Sequence, residues 1–544
     1  MSISDRTVLA HPISANLSRR SLLRGAIGAA VMAAGTAGLA ACGGGSGDSG
    51  SGDAAEAAVI RLGVANPGAN ADTQLTSNSI GLSENVCDTL VTLDPETKEV
   101  KPLLLTALPT ASDDGLLYTF ELKEGVKFHD GTVLTANDVK YTFERLFAKQ
   151  SQFDSFTYIK GGQEIVDGKA TELEGFTVVD DTHFTIELTG VYSSFVRMLC
   201  QFYASIYPAA ACEAAGDDWG NGTNFIGTGP FKIESNDDST ECVLAAFDDY
   251  HEGRPAIDRV EITYIDDAAT RVNYYLSDDI DLCFVDTSLL EDYKANEEIA
   301  ANLVYYTPAA TQFVNINLNN DVFKDVRVRE ALSLAINRQE ICDTILSGAA
   351  LPCTGFIPPS ESGSDPNGTV LEYNVDRAKE LLAEAGNPSI SFTAKVRDQD
   401  KNVMIAIQAA WQAIGVNCEV EVIDSQVWRE DRAAGNLVCT LVTWSTLSFV
   451  GVEHMGSFFT SDKASLRSSF YNSAEFDQFV STARSSLDEA EVTENTIKAD
   501  NQLVRTDFGT IPVDWPQNPY VLRSGFEGLE VLVDFHFKHV TKTA

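Results

Sequence analysis

The joint between residues 407 and 422 constrains the fold of this chain more than any other stretch. Ile407, Ala410, Trp411 and Ile414 recur at helical spacing and share one face. Gly415 then closes the helix, and Val416, Cys418, Val420 and Val422 alternate with Asn417, Glu419 and Glu421 as a half-buried strand. A period of 3.6 that yields to a period of 2 across one glycine marks a helix laid on a sheet. The same grammar runs through the body. Val59-Ile60-Arg61-Leu62-Gly63-Val64 reads as a strand, as do the alternations of Tyr118, Phe120, Leu122, of Phe184, Ile186, Leu188 and of Val260, Ile262, Tyr264. Val139, Phe143, Leu146 and Phe147 form a helical stripe behind a capping-box-like Thr135 and Asp138. Val328, Ala331, Leu332, Ala335 and Ile336 form another, and Ala378, Leu381, Leu382 and Ala385 a third that Gly386 ends. These stripes read as core rather than as cofactor boxes. No internal repeat is visible, so α/β domains are expected.

The amino terminus reads differently. Ser18-Arg19-Arg20-Ser21-Leu22-Leu23-Arg24 resembles a twin-arginine export motif, and a mildly apolar run follows from Gly25 to Ala41. Leu39-Ala40-Ala41-Cys42 resembles a bacterial lipobox. The expectation is an export signal over 1–41, cleavage before Cys42 and lipidation of the Cys42 sulfur. The alternatives are a transmembrane anchor, for which an Ala/Gly-rich run is short and weak, and a plain basic region of general secretion. The Gly/Ser-rich stretch after Cys42, to about residue 56, has the composition of a flexible linker. Within it, Gly47-Asp48-Ser49-Gly50 mimics a serine-protease nucleophile motif, but a linker cannot hold a serine against a histidine.

The chain has 544 residues, enough for two or three domains, and a formal net charge of −40. The export segment carries Arg6, Arg19, Arg20 and Arg24 against Asp5, so the body is more acidic still. That charge argues against nucleic-acid partners and against anionic headgroups. Nine cysteines besides Cys42 show no CxxC spacing, so no zinc site is expected; Cys342 with Cys353 and Cys200 with Cys212 are the nearest pairs. His536 and His539 sit in strand-like surroundings that would put them on opposite faces.

Three segments resemble the extracytoplasmic solute-binding proteins of peptide- and nickel-type ABC transporters. They are Leu122-Lys123-Glu124-Gly125-Val126-Lys127-Phe128-His129-Asp130-Gly131-Thr132 with its continuation to Tyr141, then Gly227-Thr228-Gly229-Pro230-Phe231-Lys232-Ile233, then Phe323 to Ile341. Ile357-Pro358-Pro359, Tyr373 to Gly386 and Trp411 to Val422 support them, in family order across nearly the whole body. The resemblance implies an α/β, two-lobed periplasmic-binding-protein-like (type II) fold with an additional subdomain inserted in the first lobe. Lobe I would span 57–305 plus 513–544, with the subdomain at about 96–224, and lobe II 313–505. Hinge crossings are expected at 306–312 and 506–512. Such a protein performs no catalysis, needs no cofactor or metal, and works as a monomer. It captures a small solute between its lobes and hands it to a membrane permease driven by an ATPase. An orphan solute sensor or surface lipoprotein is the alternative role.

The resemblance also points to a pocket. Peptide binders of this family carry a tryptophan followed by an acid that pairs with the peptide ammonium. The stretch here is Thr443-Trp444-Ser445-Thr446-Leu447-Ser448-Phe449, without the acid, and the nearest is Glu453. Trp444 would form a pocket wall and Ser445 and Thr446 would offer hydroxyls to a polar solute. Asn66 and Asn70, in the loop after the first strand, are expected to face the cleft. Arg397 is a candidate for a carboxylate, against a solvated surface role, and Tyr520 for an aromatic wall. His454 is the candidate for meeting a nickel chelate, against a packed structural histidine.

Overall fold

The computed structural model describes residues 57–68, 70–75, 80–149, 156–237 and 239–543. The expected export signal, Cys42 and the linker lie outside the described residues. No described helix is long and apolar enough to cross a membrane.

Two sheets organise the body. The first has strand order Leu303–Tyr306, Asn518–Leu522, Leu282–Phe284, Val59–Val64, Arg259–Tyr264, Glu241–Ala246, Phe231–Asp237. Val59–Val64 lies at its centre, parallel to both neighbours, and buries Ile60 and Leu62. The second has the order Ala350–Pro352, Ile511–Pro516, Ala310–Ile316, Cys439–Ser445, Ser391–Val396, Asn417–Val422. Its helix Lys401–Gln412 buries Trp411 completely, and the indole Nε1–H donates to the Leu332 carbonyl at 2.9 Å. Gly386 and Gly415 end their helices at φ 89° and 85°, the left-handed backbone that a side chain would strain.

The chain passes between the sheets twice. Thr307, Pro308 and Ala309 connect Tyr306 of the first sheet to Ala310 of the second, and Gln517 alone connects Pro516 to Asn518. The second passage therefore falls after the expected 506–512, because Ile511–Pro516 pairs with Ala310–Ile316 and Ala350–Pro352 inside the second sheet. The Gln517 amide donates to Thr307 Oγ1 at 3.1 Å, so the two connections lie side by side.

A small antiparallel sheet of Thr110–Ala111, Leu117–Glu121, His183–Glu187 and Phe176–Val178 sits within the first lobe's sequence. Phe184 stacks between Phe120 and Phe176 with ring centroids 4.7 and 5.0 Å away. Helix Ala136–Lys149 lies with it, Val139, Phe143, Leu146 and Phe147 all fully buried. Each such side chain contributes about 1.5–3 kcal/mol through burial. The helix starts where Asp138 Oδ2 accepts from both the amide and the hydroxyl of Thr135, at 2.9 and 2.8 Å.

The most diagnostic segments prove to be fastened to one another. The His129 amide donates to the Gly227 carbonyl at 3.0 Å, and His129 Nδ1 accepts from the Gly227 amide at 3.3 Å. Nε2 must then carry the proton and donate to the Gly229 carbonyl at 3.0 Å. Burial lowers this imidazole to about 4, which keeps it neutral. Gly227 and Gly229 are glycines because Val86 lies against them: a Cβ on Gly229 would stand 2.6 Å from the Val86 carbonyl carbon. This clamp fixes the end of helix Ile80–Val86 and the residues that follow it.

Candidate functional site

Those residues form one wall of a cavity of about 410 Å³. Glu84, Asp88, Ser205, Glu530 and His536 line it from the first lobe, and Leu447 and Phe449 line it from the second. A second cavity of about 610 Å³ adjoins it along Pro95, Glu96, Glu530 and His539. This one opens beside the passages between the sheets, against Tyr306, Thr307, Ser360 and Tyr520. Both volumes fall in the range of small-molecule sites.

The loop after Trp444 is tightly held. The Thr446 amide donates to the Ala309 carbonyl at 3.0 Å, and Thr446 Oγ1 accepts from the Ser448 amide at 3.2 Å. The hydroxyls of Thr446 and Ser448 are hydrogen-bonded at 2.7 Å. Phe449, at φ 54°, packs with Leu93, Ala309 and Leu532, and Arg197 Nε donates to the Ser448 carbonyl at 3.3 Å. The strained backbone at Phe449 turns its ring toward the first lobe, where apolar contact compensates.

Trp444 is half-buried, donates through Nε1 to Ser457 Oγ at 3.0 Å, and has the Arg467 guanidinium 4.5 Å from its ring centre. Its carbonyl bonds His454 Nε2 at 2.9 Å, while His454 Nδ1 meets Glu361 at 3.0 Å. His454 is fully buried with both nitrogens engaged, so it holds the Trp444 strand and has no nitrogen left for a chelate. Among the described residues no group of three or more His, Cys, Asp or Glu side chains is arranged to hold a metal ion. Glu453, the acid nearest to Trp444, is taken by Arg484, whose Nη2 donates at 2.7 Å and Nε at 3.1 Å.

Tyr520 lines the second cavity, and Leu447 and Phe449 rather than Ser445 or Thr446 reach the first. Ser445 is exposed. Trp444, expected as a pocket wall, lines neither cavity, because its indole packs against Phe458 and under Arg467 inside the second lobe, and Asn66, Asn70 and Arg397 line neither as well. Asn66 Oδ1 accepts from the Gly68 amide at 2.8 Å, closing a local turn. Asn70 donates to the Trp219 carbonyl and to Asn221 Oδ1, both at 3.0 Å. Arg397 bonds Asp400 at 2.7 Å and stacks 4.6 Å from the centre of Trp428, a core side chain.

Sequence reasoning missed the first-lobe wall. Glu84, Ser205 and Glu530 belong to no motif, and His536 and His539 both border the first cavity although their spacing suggested opposite faces. Burial pulls the His536 imidazole down, but Glu84 at 3.3 Å outweighs it and holds it above its ordinary range. All nine cysteines of the body are free thiols, eight of them buried.

The profile of the bacterial extracellular solute-binding proteins, family 5, matches residues 99–465. The chain is 26% identical over 449 residues to the periplasmic oligopeptide-binding protein OppA of Salmonella typhimurium, covering 78% of this chain and 82% of that one. It is 28% identical over 433 residues to the oligopeptide-binding protein AppA of Bacillus subtilis, covering 74% and 76%. Its fold superposes on the periplasmic binding protein DppA of Helicobacter pylori, solved with the peptide STSA, at a TM-score of 0.71 and 23% identity over 89% of this chain and 98% of that one. A two-lobed α/β body with a cavity walled by both lobes, and a profile that spans most of it, make this chain a member of the family 5 bacterial extracellular solute-binding proteins, which bind and do not catalyse.

Proposed function

We propose that this protein is the lipid-anchored receptor of an ATP-driven importer, which closes its two lobes on a small peptide-like solute and presents it to the permease. The observation that carries the reading is the cavity of about 410 Å³ whose walls come from both lobes, beside the paired passages at Thr307 and Gln517. A solute held there loses its water on all sides, and two short connections let the lobes part without breaking either sheet. On this reading lobe I comprises 57–306 with 518–543, and lobe II 310–516. Oligopeptide binding by OppA and AppA supports a peptide-like cargo, and the lipobox-like Leu39-Ala40-Ala41-Cys42 supports the anchor.

Thermal unfolding of the purified protein against peptides, amino acids, nickel chelates, sugars and polyamines tests the reading. A solute at 100 times its Kd stabilises by about 2.7 kcal/mol. Scattering should show a smaller radius of gyration when the solute is bound. A protein inert to the whole panel would sink the receptor reading. Fractionation of cells carrying Cys42→Ala tests the anchor, with loss from the membrane fraction as the expected result.

A further inference from the structure

Two residues that are not glycine hold left-handed backbone on opposite sides of the cleft, and their side chains meet. Lys98, at φ 59°, sits in the turn between Val91–Leu93 and Val100–Pro102 of the first lobe. Phe449, at φ 54°, belongs to the second lobe, where the Ser362 amide donates to its carbonyl at 3.0 Å. The Lys98 ammonium stands 5.8 Å from the centre of the Phe449 ring, within reach of its negative face. That ring is 2% exposed, yet it packs outside the main core of either lobe. Its neighbours are Leu93 and Leu532 of the first lobe and Ala309 of the passage between the sheets.

Arg197 ties the same two turns together. Its Nη2 donates to the Lys98 carbonyl at 2.7 Å and its Nε to the Ser448 carbonyl at 3.3 Å. Among the described residues these bonds go to carbonyls and not to a carboxylate. Desolvating a guanidinium without a counter-charge is costly, and so is left-handed backbone at a residue with a side chain. Both costs are offset by contacts that exist only while the lobes meet. Parting the lobes about Thr307 and Gln517 draws Phe449 away from Leu93 and Leu532. It also breaks one of the two Arg197 bonds, whichever lobe the inserted subdomain follows.

We propose that Phe449, Lys98 and Arg197 form a clasp that keeps the lobes shut without a solute between them. The clasp presupposes the two-lobed receptor reading above and adds a step to it. Closure is held by the protein's own groups, with the Phe449 ring as the plug and the Arg197 guanidinium as the staple. A solute then enters during excursions in which Phe449 leaves its socket, so capture draws on a minor open population.

Hydrogen exchange of the full-length processed protein, freed of co-purifying solute by unfolding and refolding, tests the clasp. Amides at 92–99 and 446–450, the two lips of the cleft, report the open population. Phe449→Ala should speed their exchange about tenfold or more, the population change expected from losing a buried phenylalanine ring. Arg197→Met keeps the stem, loses both bonds and should speed it about tenfold. Amides of Val59–Val64 in the first sheet should be unmoved, which separates opening from general loss of stability. Scattering from the double variant should give a larger radius of gyration than wild type. The unfolding midpoint controls for folding; should Phe449→Ala fail to fold, Arg197→Met carries the test. Exchange unmoved at the lips of the folded variants, or quickened equally at Val59–Val64, overturns the clasp. A solute-free wild type already as extended as the double variant overturns it too. None of these measurements involves a solute, so their failure leaves the receptor reading standing. Inertness to every solute in the thermal panel sinks that reading and leaves the clasp to be judged by exchange alone.

Discussion

Removing the Glu453 carboxylate tests how this protein holds its inserted subdomain against the second lobe. Glu453 and Arg484 are 14% and 24% exposed at the side chain, and Arg484 reaches the carboxylate through Nε and Nη2. The pair is tied to the segment after the small sheet: Ser194 Oγ donates to Glu453 at 3.3 Å and the Ser193 amide to the Arg484 carbonyl at 2.8 Å. Burial opposes the charge on Arg484, but Glu453 more than compensates and holds the guanidinium above its ordinary range. Glu453→Gln keeps the shape and loses the charge, so about 1.5–3 kcal/mol of charge-assisted bonding should go. Glu453→Ala also strands a buried arginine, for which about 3–5 kcal/mol is the usual cost. Urea unfolding at pH 7 should show the midpoint falling in the order wild type, Gln, Ala, at unchanged slope. Adding Arg484→Met should recover part of the Glu453→Ala loss, giving a coupling of about 1–3 kcal/mol. A Glu453→Gln midpoint equal to wild type, or strict additivity in the double variant, would refute the buried-pair argument.

Asp514 lies fully buried on Ile511–Pro516, its Oδ2 has no hydrogen bond among the described residues, and burial raises its carboxyl to about 8. A folded value above the unfolded one, about 3.9, favours folding in acid and costs stability progressively as pH rises from about 4 through 8. Asp514→Asn should therefore stabilise the protein at pH 8 by about 1–3 kcal/mol and flatten that decline in urea titrations at several pH values. His129 is pressed the opposite way. With a folded value of about 4 against about 6.5 unfolded, its contribution is complete above pH 6.5 and is lost as pH falls toward 4. His129→Gln should lower stability at pH 7 and show a shallower acid limb than wild type, and an identical acid limb would exclude the buried neutral imidazole. Gly227→Ala drives a methyl into the Val86 carbonyl oxygen and should cost about 1–3 kcal/mol in the same assay, with solute affinity falling because the cavity wall at Asp88 moves.

Local chemistry by itself determined the elements. The 3.6-residue stripe of Ile407 and Trp411, the period-2 run from Val416 and the glycine between them reappear as Lys401–Gln412, Asn417–Val422 and Gly415 at φ 85°. Periodicity and helix stops act over a few residues, so they are legible without a partner. The resemblance carried the two-lobed fold, but it put Trp444 itself on a pocket wall, whereas Trp444 lies at the end of strand Cys439–Ser445 and only Leu447 and Phe449 after it reach the cavity. What remained hidden depends on long-range placement. Whether Ile511–Pro516 belongs to the first sheet or the second is decided by pairing with strands roughly 160 to 200 residues away, so the second passage fell at Gln517 and not before. Asn70 looks available in the sequence because its acceptors, Trp219 and Asn221, become neighbours only on folding, whereas Arg397 has its acceptor Asp400 three residues on and gains only the Trp428 ring from the fold. Glu84, Ser205 and Glu530 stand far apart along the chain and carry no motif. Only the tertiary structure gathers them on one wall, because a cavity is a property of surfaces that meet, and no single segment contains it.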